Sequence, residues 1–202
     1  MLITLEGIDS SGKSTISKYI VELLEKQNKI VIQLKEPDEP YRNILLNDPN
    51  VSPREEIFGF LASRARIYHQ TIIPSLEKGK FVICDRSIDS TMAYQALARQ
   101  TIGPNLCNIM NLFAVNGRKP DLTIVMDIDP QLAYKRKPYT QDNLEKRGFD
   151  YMNKVRYAFK NIALKESNRV KIIDASLPLE KVKSRIKGLI ISKLKEEINE
   201  AV

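Results

Sequence analysis

Hydrophobic residues in this chain form short continuous runs that alternate with longer segments whose apolar positions recur every three or four residues. The runs predict five buried strands at residues 1–6, 30–35, 81–85, 122–128 and 170–175. The helical spacing predicts helices at 13–27, 41–47, 53–78, 89–100, 104–116, from Pro130 onward, at 149–166 and at the chain end. Strands separated by helices predict an α/β fold, a five-stranded parallel sheet with helices on both faces.

Composition sets limits on this picture. A length of 202 residues, with 43% hydrophobic and 28% charged positions, is typical of one soluble globular domain covering 1–202. No apolar run reaches the roughly 18 residues that span a membrane, so we expect no membrane segment and a cytoplasmic protein. Cys84 and Cys107 are expected to be small buried hydrophobic residues rather than a disulfide.

The chain carries a net charge of +7, which favours an anionic partner. Nucleotides and nucleic acids both qualify. Aromatic and basic residues do not interleave as they do in single-strand binders, so nucleotides are expected and nucleic acid is not. Basic residues form a dense block only at 135–147, where the helical periodicity also lapses.

A glycine motif follows the first strand and opens the first helix. Residues 7–14, GIDSSGKS, match GxxxxGK[ST] in full, in the strand–loop–helix context that a phosphate-binding loop requires. The predicted ATP-binding residues are Gly7, Ile8, Asp9, Ser10, Ser11, Gly12, Lys13, Ser14 and Thr15. Backbone N–H groups and the helix dipole would hold phosphate, Lys13 would reach the β- and γ-phosphates, and Ser14 would bind Mg²⁺.

Other classes of P-loop protein fit less well. The one DxxG of the sequence, residues 9–12, lies inside the phosphate loop and is therefore not a separate switch. The Asn153-Lys154 pair lacks the rest of an NKxD loop, and the sequence has no LSGGQ-like element. These gaps argue against a GTPase and a transporter ATPase, and favour a small kinase with a small acceptor.

A second charged pair, Asp85-Arg86, ends the third strand. The carboxyl ends of neighbouring parallel strands meet at one edge of a sheet, so Asp85 is expected near Ser14, orienting Mg²⁺-bound water. Arg86 would then face the phosphates. The alternative is a helix-capping aspartate beside a surface arginine.

Beyond these motifs, the chain resembles the thymidylate kinase family over nearly its whole length. The matching pieces are EGIDSSGKST (6–15), KEP (35–37), YRNILL (41–46), FLASRA (60–65), DRSIDSTMAYQ (85–95), PDLTIVMDIDP (120–130), FDYMNKVR (149–156) and IIDASLPLEKV (172–182). The resemblance implies a P-loop NTPase-type fold, transfer of the γ-phosphoryl of ATP to dTMP with Mg²⁺, a homodimer, and a short mobile lid near 137–148.

The resemblance also implies a dTMP site. Its residues are Asp9, Glu36, Arg42, Phe60, Arg64, Arg86, Thr91, Tyr94 and Gln95. Phe60 would stack on thymine, Arg64 would approach the base, Arg42 and Arg86 would hold the phosphate, and Asp9 would accept from the 3′-hydroxyl. Residues 91–95 would contact the base and crowd the 2′ position of the sugar. Without the resemblance, the alternative interpretation is that Phe60 is a core residue and that Arg42 and Arg64 are solvent-exposed residues on helices.

The catalytic residues expected are Lys13, Asp9, Arg86, Arg136, Lys137 and Arg147. Some members of the family carry an arginine in the phosphate loop, and others supply basic residues from a mobile lid. Ser10 and Ser11 are uncharged, so this chain resembles the second kind, and the resemblance implies that positive charge comes from the lid. Lys146 is also basic there, and one basic residue could instead stack on adenine. The chain departs from the family in two places: acids at Asp38-Glu39 replace a usual glycine pair, and Ser87 replaces an aromatic residue or histidine. The alternatives are a kinase for dUMP or dCMP, and a regulatory ATP-binding module.

Overall fold

The computed structural model describes residues 1–136, 143–144 and 147–200, with only the backbone described for 197–200. Its strands are β1 (Leu2–Glu6), β2 (Val31–Lys35), β3 (Phe81–Asp85), β4 (Leu122–Asp127) and β5 (Val170–Asp174). They form one parallel sheet in the order β2-β3-β1-β4-β5. The predicted five-stranded parallel sheet is therefore confirmed.

The sheet is covered on both faces, as continuously apolar strands require. In β3, Phe81 and Ile83 join one hydrophobic cluster while Val82 and Cys84 join another, because successive strand residues point to opposite faces. Both cysteines are free and buried, as expected. No described helix is long and apolar enough to cross a membrane.

Helices connect the strands. Their bounds are α1 (Lys13–Glu25), α2 (Tyr41–Asn47), α3 (Pro53–Ile67), α4 (Ile73–Glu77), α5 (Ile88–Thr91), α6 (Pro104–Ala114), α7 (Pro130–Arg136), α8 (Gly148–Lys165) and α9 (Leu179–Glu200). Helix α3 starts at a capping box in which Ser52 and Glu55 satisfy each other's backbone N–H groups.

Two predicted α-helices contain wide π-helical turns. The predicted helix at 53–78 is α3 and α4 joined by π turns at Tyr68–Ile72, and the one at 89–100 is α5 followed by π turns at Met92–Ala98. The latter end on a bond in which the Arg99 N–H donates to the Tyr94 carbonyl, five residues earlier, at 3.0 Å. Apolar spacing predicts that a segment is helical, but it does not distinguish this pattern from the α-helical one.

Most of the predicted lid, including Lys137 and Lys146, lies outside the described residues. Its described part packs against α2: the Asn143 N–H donates to the Leu46 carbonyl at 3.0 Å, and Leu144 is buried. Arg147 and Gly148 lead directly into α8. The lid and its mobility stay predictions.

Candidate functional site

A cavity of about 630 Å³ opens where β1, β3 and β4 end. Its walls come from the phosphate loop, the segment after β3, helix α3, and the turn between β5 and α9. The predicted site residues on its walls are Asp9, Ser10, Ser11, Gly12, Lys13, Ser14, Thr15, Glu36, Arg42, Phe60, Asp85, Arg86, Thr91, Tyr94, Gln95 and Arg136. Sequence motifs separated by up to 127 positions therefore meet in one place.

The phosphate loop is shaped by its glycines. Gly7 has φ +133°, and a Cβ there would lie 2.7 Å from the Met126 carbonyl oxygen, so no other residue fits. Gly12 has φ +96° and directly precedes α1, whose N-terminus faces the cavity. Gly7 and Ile8 do not line the cavity. Their carbonyls instead support the loop, because they accept hydrogen bonds from Lys13 Nζ at 3.1 and 2.9 Å.

Burial and charge set the electrostatics of this loop. Lys13 is only 7% exposed, and burial together with the nearby Arg86 cation lowers its pKa to about 8. Burial would raise the pKa of Asp9, but the cations of Arg86 and Lys13 outweigh it and hold that pKa below its ordinary value. The Ser11 hydroxyl is buried and has no hydrogen-bond partner among the described residues. Cationic and hydroxyl donors thus converge on the loop.

Ser14 and Asp85 meet as expected. Ser14 Oγ donates to Asp85 Oδ2 at 3.2 Å, while Asp85 Oδ1 is buried without a hydrogen-bond partner in the described part of the chain. Such a carboxylate oxygen suits a Mg²⁺-bound water. The described residues hold no cluster of three or more His, Cys, Asp or Glu side chains that could bind a metal. This donor set fits a Mg²⁺ that keeps water and phosphate ligands, rather than one in a protein cage.

Arg86 is fixed in the cavity wall and is not a surface arginine. Its backbone has φ +76°, and its Nη2 donates to Asp9 Oδ1 at 2.6 Å. Its guanidinium also lies over the Tyr94 ring, 5.1 Å from the centroid. Asp85 does not cap α5 either, because Ser87 occupies the N-cap position.

Glu6, at the end of β1, supports this turn, a role that the sequence motifs did not indicate. Its Oε1 accepts from the Ser87 N–H at 2.7 Å, and its Oε2 accepts from Ser90 Oγ. Burial, reinforced by the nearby Asp89 carboxylate, raises the pKa of Glu6 to about 8. The sequence did hold one indication of this role, because Glu6 is a charged residue at the end of β1, a strand that is otherwise apolar or uncharged and is buried throughout.

The cavity wall formed by α3 and the segment after β3 is called the acceptor wall here. Of the two α3 residues predicted to contact the base, Phe60 lines this wall and Arg64 does not. Phe60 lines the cavity and also packs in the hydrophobic core, so the two interpretations of this residue are compatible. Arg64 is 1% exposed and does not line the cavity in the described structure. Its donors reach Glu36 Oε2 (2.9 Å), Thr91 Oγ1 (3.0 Å), Asn111 Oδ1 (2.7 Å) and the Ser87 carbonyl (2.8 Å).

The donors of the Arg64 guanidinium are all engaged by protein groups in the described structure, so Arg64 supports the wall from inside the protein. That Arg64 approaches the base stays a prediction. Its partner Glu36 reaches the cavity instead. Glu36 Oε1 is buried without a hydrogen-bond partner among the described residues, and burial raises the pKa of this carboxyl despite Arg64. Glu36 can accept a hydrogen bond from a nucleotide in the cavity.

The two departures from the family pattern have structural uses. Asp38 Oδ1 accepts from Ser63 Oγ at 2.6 Å, and the Asp38 N–H donates back to that hydroxyl at 3.0 Å, tying the loop to α3. Ser87 is fully buried, and its hydroxyl lies 3.1 Å from the Tyr68 hydroxyl. Neither residue disturbs the cavity wall.

Glu56 is the centre of a second buried network that the sequence did not reveal. Its carboxylate accepts from Gln95 Nε2 at 2.8 Å and pairs with Arg99 at 3.0 Å. It also pairs with Arg147, which does not line the cavity in the described structure. The expected catalytic position of Arg147 is thus not the one observed, because Glu56 and the Tyr151 hydroxyl hold its guanidinium.

An apolar wall on the far side of the phosphate loop was also missed. It consists of Met126, Ala175, Leu177, Leu179 and Val182, at the ends of β4 and β5 and the start of α9. Arg136 borders it and donates to the Ser176 carbonyl at 3.4 Å. The signal in the sequence was the piece IIDASLPLEKV (172–182), one of the segments that match the family. A flat apolar wall beside a phosphate loop suits a nucleobase.

A phosphate loop and a separate polar and aromatic wall in one cavity define a P-loop phosphotransferase with distinct donor and acceptor subsites. The sequence model described as thymidylate kinase matches residues 5–186. The chain belongs to the thymidylate kinase family.

Individual relatives agree. The chain is 41% identical to a thymidylate kinase of Thermosipho melanesiensis, covering 94% of this chain and 97% of the relative. It is 38% identical to one of Clostridium novyi, covering 93% and 97%. The crystal structure of thymidylate kinase from Ehrlichia chaffeensis superposes with a TM-score of 0.76 at 31% identity, covering 94% of this chain and 98% of that one.

Proposed function

We propose that this chain transfers the γ-phosphoryl of ATP to dTMP, giving dTDP and ADP. The observation that carries the proposal is the single cavity in which the phosphate loop faces Glu36, Phe60 and Tyr94. Membership of the thymidylate kinase family supports both substrates. A regulatory ATP-binding module would have no use for the second wall.

In the donor subsite, loop N–H groups and Lys13 hold the β- and γ-phosphates. An oxygen of the dTMP phosphate attacks the γ-phosphorus, the bond to the β-phosphate oxygen breaks, and ADP leaves with that electron pair. Lys13 and Arg86 neutralise the charge that spreads over the transferred group. Residues 175–182 form the wall against which adenine would pack.

Mg²⁺ is the cofactor that we propose. Ser14 Oγ would bind it directly and Asp85 through water, because these oxygens meet at the loop. When bound, Mg²⁺ supplies positive charge that shields the phosphates of ATP.

In the acceptor subsite, Phe60 stacks on thymine and residues 91–95 face the base and sugar. Arg42 and Arg86 hold the dTMP phosphate, and Glu36 supplies a free acceptor oxygen. Asp9, whose carboxylate Arg86 orients at 2.6 Å, would accept from the 3′-hydroxyl.

Residues 1–202 are proposed to act as one catalytic unit with a lid near 137–148. Arg136 and Lys137 remain the proposed lid cations. The contact between Arg136 and Ser176 places Arg136 beside the apolar wall and favours the adenine-stacking alternative for this residue. Arg147 would act catalytically only after leaving Glu56. The cytoplasmic location stays a prediction.

A homodimer is proposed through α6. Leu106, Ile109 and Phe113 are 53%, 63% and 89% exposed and follow one another at helical spacing. An exposed apolar stripe of this kind suits a second copy of the chain. In sedimentation experiments Phe113→Asp should shift the protein to monomer, whereas an unchanged mass would reject this face.

The acceptor screen tests the proposed reaction. Purified protein is given γ-labelled ATP with Mg²⁺ and each nucleoside monophosphate in turn, and labelled products are separated. We expect label in dTDP. ATP hydrolysis that dTMP does not stimulate, with no labelled diphosphate, would reject the kinase and favour the regulatory module.

A further inference from the structure

The buried pair of Glu56 and Gln95 lies directly behind the acceptor wall. Glu56 is one helical turn before Phe60 on α3, while Gln95 is on the π turns and lines the cavity. Both residues are about 2% exposed, so water does not compete for the hydrogen bond between them. Their hydrogen bond joins α3 to the π turns, the two elements that form the acceptor wall.

The partner of Gln95 fixes which way its amide faces. Glu56 pairs with two arginines and therefore presents carboxylate oxygens, which only accept hydrogen bonds. The amide nitrogen of Gln95 must face Glu56, at 2.8 Å, and a flipped amide would set oxygen against oxygen. The amide oxygen of Gln95 is then the atom left for a ligand, since no described residue donates to it.

An acceptor oxygen at this wall has a defined match. In a thymine nucleotide N1 carries the sugar, so N3–H is the only N–H of the base. Uracil presents the same N3–H. Cytosine in the same pose presents a lone pair at N3, which an acceptor oxygen repels.

We propose that Glu56 is a positioning residue that sets the hydrogen-bonding polarity of Gln95 and so selects bases with an N–H at position 3. The proposal rests on the proposed function, because it concerns the same acceptor site. It predicts that dTMP and dUMP are both preferred over dCMP. Discrimination between dTMP and dUMP falls to contacts with the 5-methyl group.

The test compares kcat/KM for dTMP and dCMP in wild type and variants. Glu56→Gln keeps the size of the side chain but can face Gln95 with either its oxygen or its nitrogen. The amide of Gln95 is then free to turn, and the dTMP-to-dCMP ratio should fall about tenfold or more. Arg99→Gln is the matched control: it removes another partner of Glu56, leaves the bond to Gln95, and should keep the wild-type ratio.

Gln95→Leu completes the cycle. It should lower the ratio by itself, and Glu56→Gln should lower it no further in that background, because Glu56 acts through Gln95. Thermal unfolding identifies variants that fail to fold, and Gln95→Leu keeps the test decisive if Glu56→Gln is one of them. An unchanged ratio in folded Glu56→Gln or Gln95→Leu, or an equal loss in Arg99→Gln, would overturn the proposal. Wild-type protein without dTMP kinase activity would instead reject the proposed function.

Discussion

The phosphate loop and the acceptor wall face each other across one cavity but are built differently. The loop is local: residues 7–14 bend through two glycines of positive φ, and Lys13 is held by carbonyls five and six positions away. The acceptor wall is assembled from a distance. Arg64 reaches partners 23 to 47 residues away, and Glu56 joins Gln95 and Arg147, which are 39 and 91 residues away.

This difference indicates how substitutions in the two regions should affect function. In the loop, the groups proposed to hold phosphate are the backbone N–H groups and Lys13, which would touch the ligand themselves, so a change in their geometry should act directly on the chemistry. On the acceptor side, the groups that touch the ligand depend on a buried layer of ion pairs. Changes in that layer should alter stability or selectivity before they alter phosphate chemistry.

Loss of Lys13 should produce the largest effect. Lys13→Ala removes a cation from the transferred phosphoryl group, which is expected to cost several kcal/mol of transition-state stabilisation and abolish measurable turnover. Circular dichroism and thermal unfolding should show a folded protein. Lys18→Ala, an exposed lysine on the same helix, is the control and should retain activity. Near-normal turnover in folded Lys13→Ala would refute the donor site.

Removal of the lid cations comes next. The triple variant Arg136→Ala, Lys137→Ala, Arg147→Ala should lower kcat by about a thousandfold, as loss of an arginine finger does, with little change in dTMP affinity. Single-turnover assays and dTMP titrations separate the two constants. Full turnover would transfer the catalytic charge to Arg86 or to Arg156, which lies on α8 and pairs with Asp127 at the end of β4.

Arg64→Met should destabilise the fold by about 3–5 kcal/mol, because it leaves the buried Glu36 carboxylate without its counter-ion. Urea unfolding measures the change. Arg66→Met is the control: its pair with Asp38 is exposed and should contribute less than about 1 kcal/mol. If both variants were equally stable, the internal role of Arg64 would be wrong.

Phe60→Ala should weaken dTMP binding by about ten- to a hundredfold through lost stacking, and leave ATP binding unchanged. Ile57→Ala, a buried neighbour that does not line the cavity, controls for core damage. If the two variants lost stability alike and neither lost dTMP affinity, Phe60 would be only a core residue.

Glu6 should affect the pH dependence of stability rather than ligand binding. Its folded pKa of about 8 lies above the ordinary 4.5, so folding takes up a proton between these values and the free energy of unfolding falls as pH rises from about 5 to 8. The slope contributed is at most about 1.4 kcal/mol per pH unit. The pKa of Lys13 is about 8 in the folded protein and ordinarily 10.5, so Lys13 changes the free energy of unfolding with pH only above this window.

Glu6→Gln cannot titrate and should flatten that fall, as measured by urea unfolding at pH 5, 6, 7 and 8. Glu25→Gln, at an exposed position, should leave it unchanged. Parallel curves for wild type and Glu6→Gln would show that Glu6 does not take up the proton.

The same division explains what could be predicted from sequence. The sheet and phosphate loop follow from apolar runs and a contiguous motif, and the meeting of Ser14 with Asp85 follows from parallel topology. The interior position of Arg64 did not, because its partners Glu36, Thr91 and Asn111 come from separate elements. Glu56 gave no signal for the same reason: on the sequence it is one more acid in the first turn of a helix.

The π turns mark a second limit. Tyr94 and Gln95 were expected to face the base, and both line the cavity, yet apolar periodicity described their segment as an ordinary helix. The wider turn changes which side chains share a face. A motif identified the residues, whereas spacing alone misjudged their local geometry.

Calorimetric titration of ATP and of dTMP into two variants tests the division into donor and acceptor subsites most directly. Lys13→Ala should bind ATP more weakly and dTMP with wild-type affinity. Phe60→Ala should show the reverse, losing affinity for dTMP about ten- to a hundredfold while binding ATP as wild type does. If either folded variant lost affinity for both ligands equally, the two walls would not be separate sites and the account would be wrong.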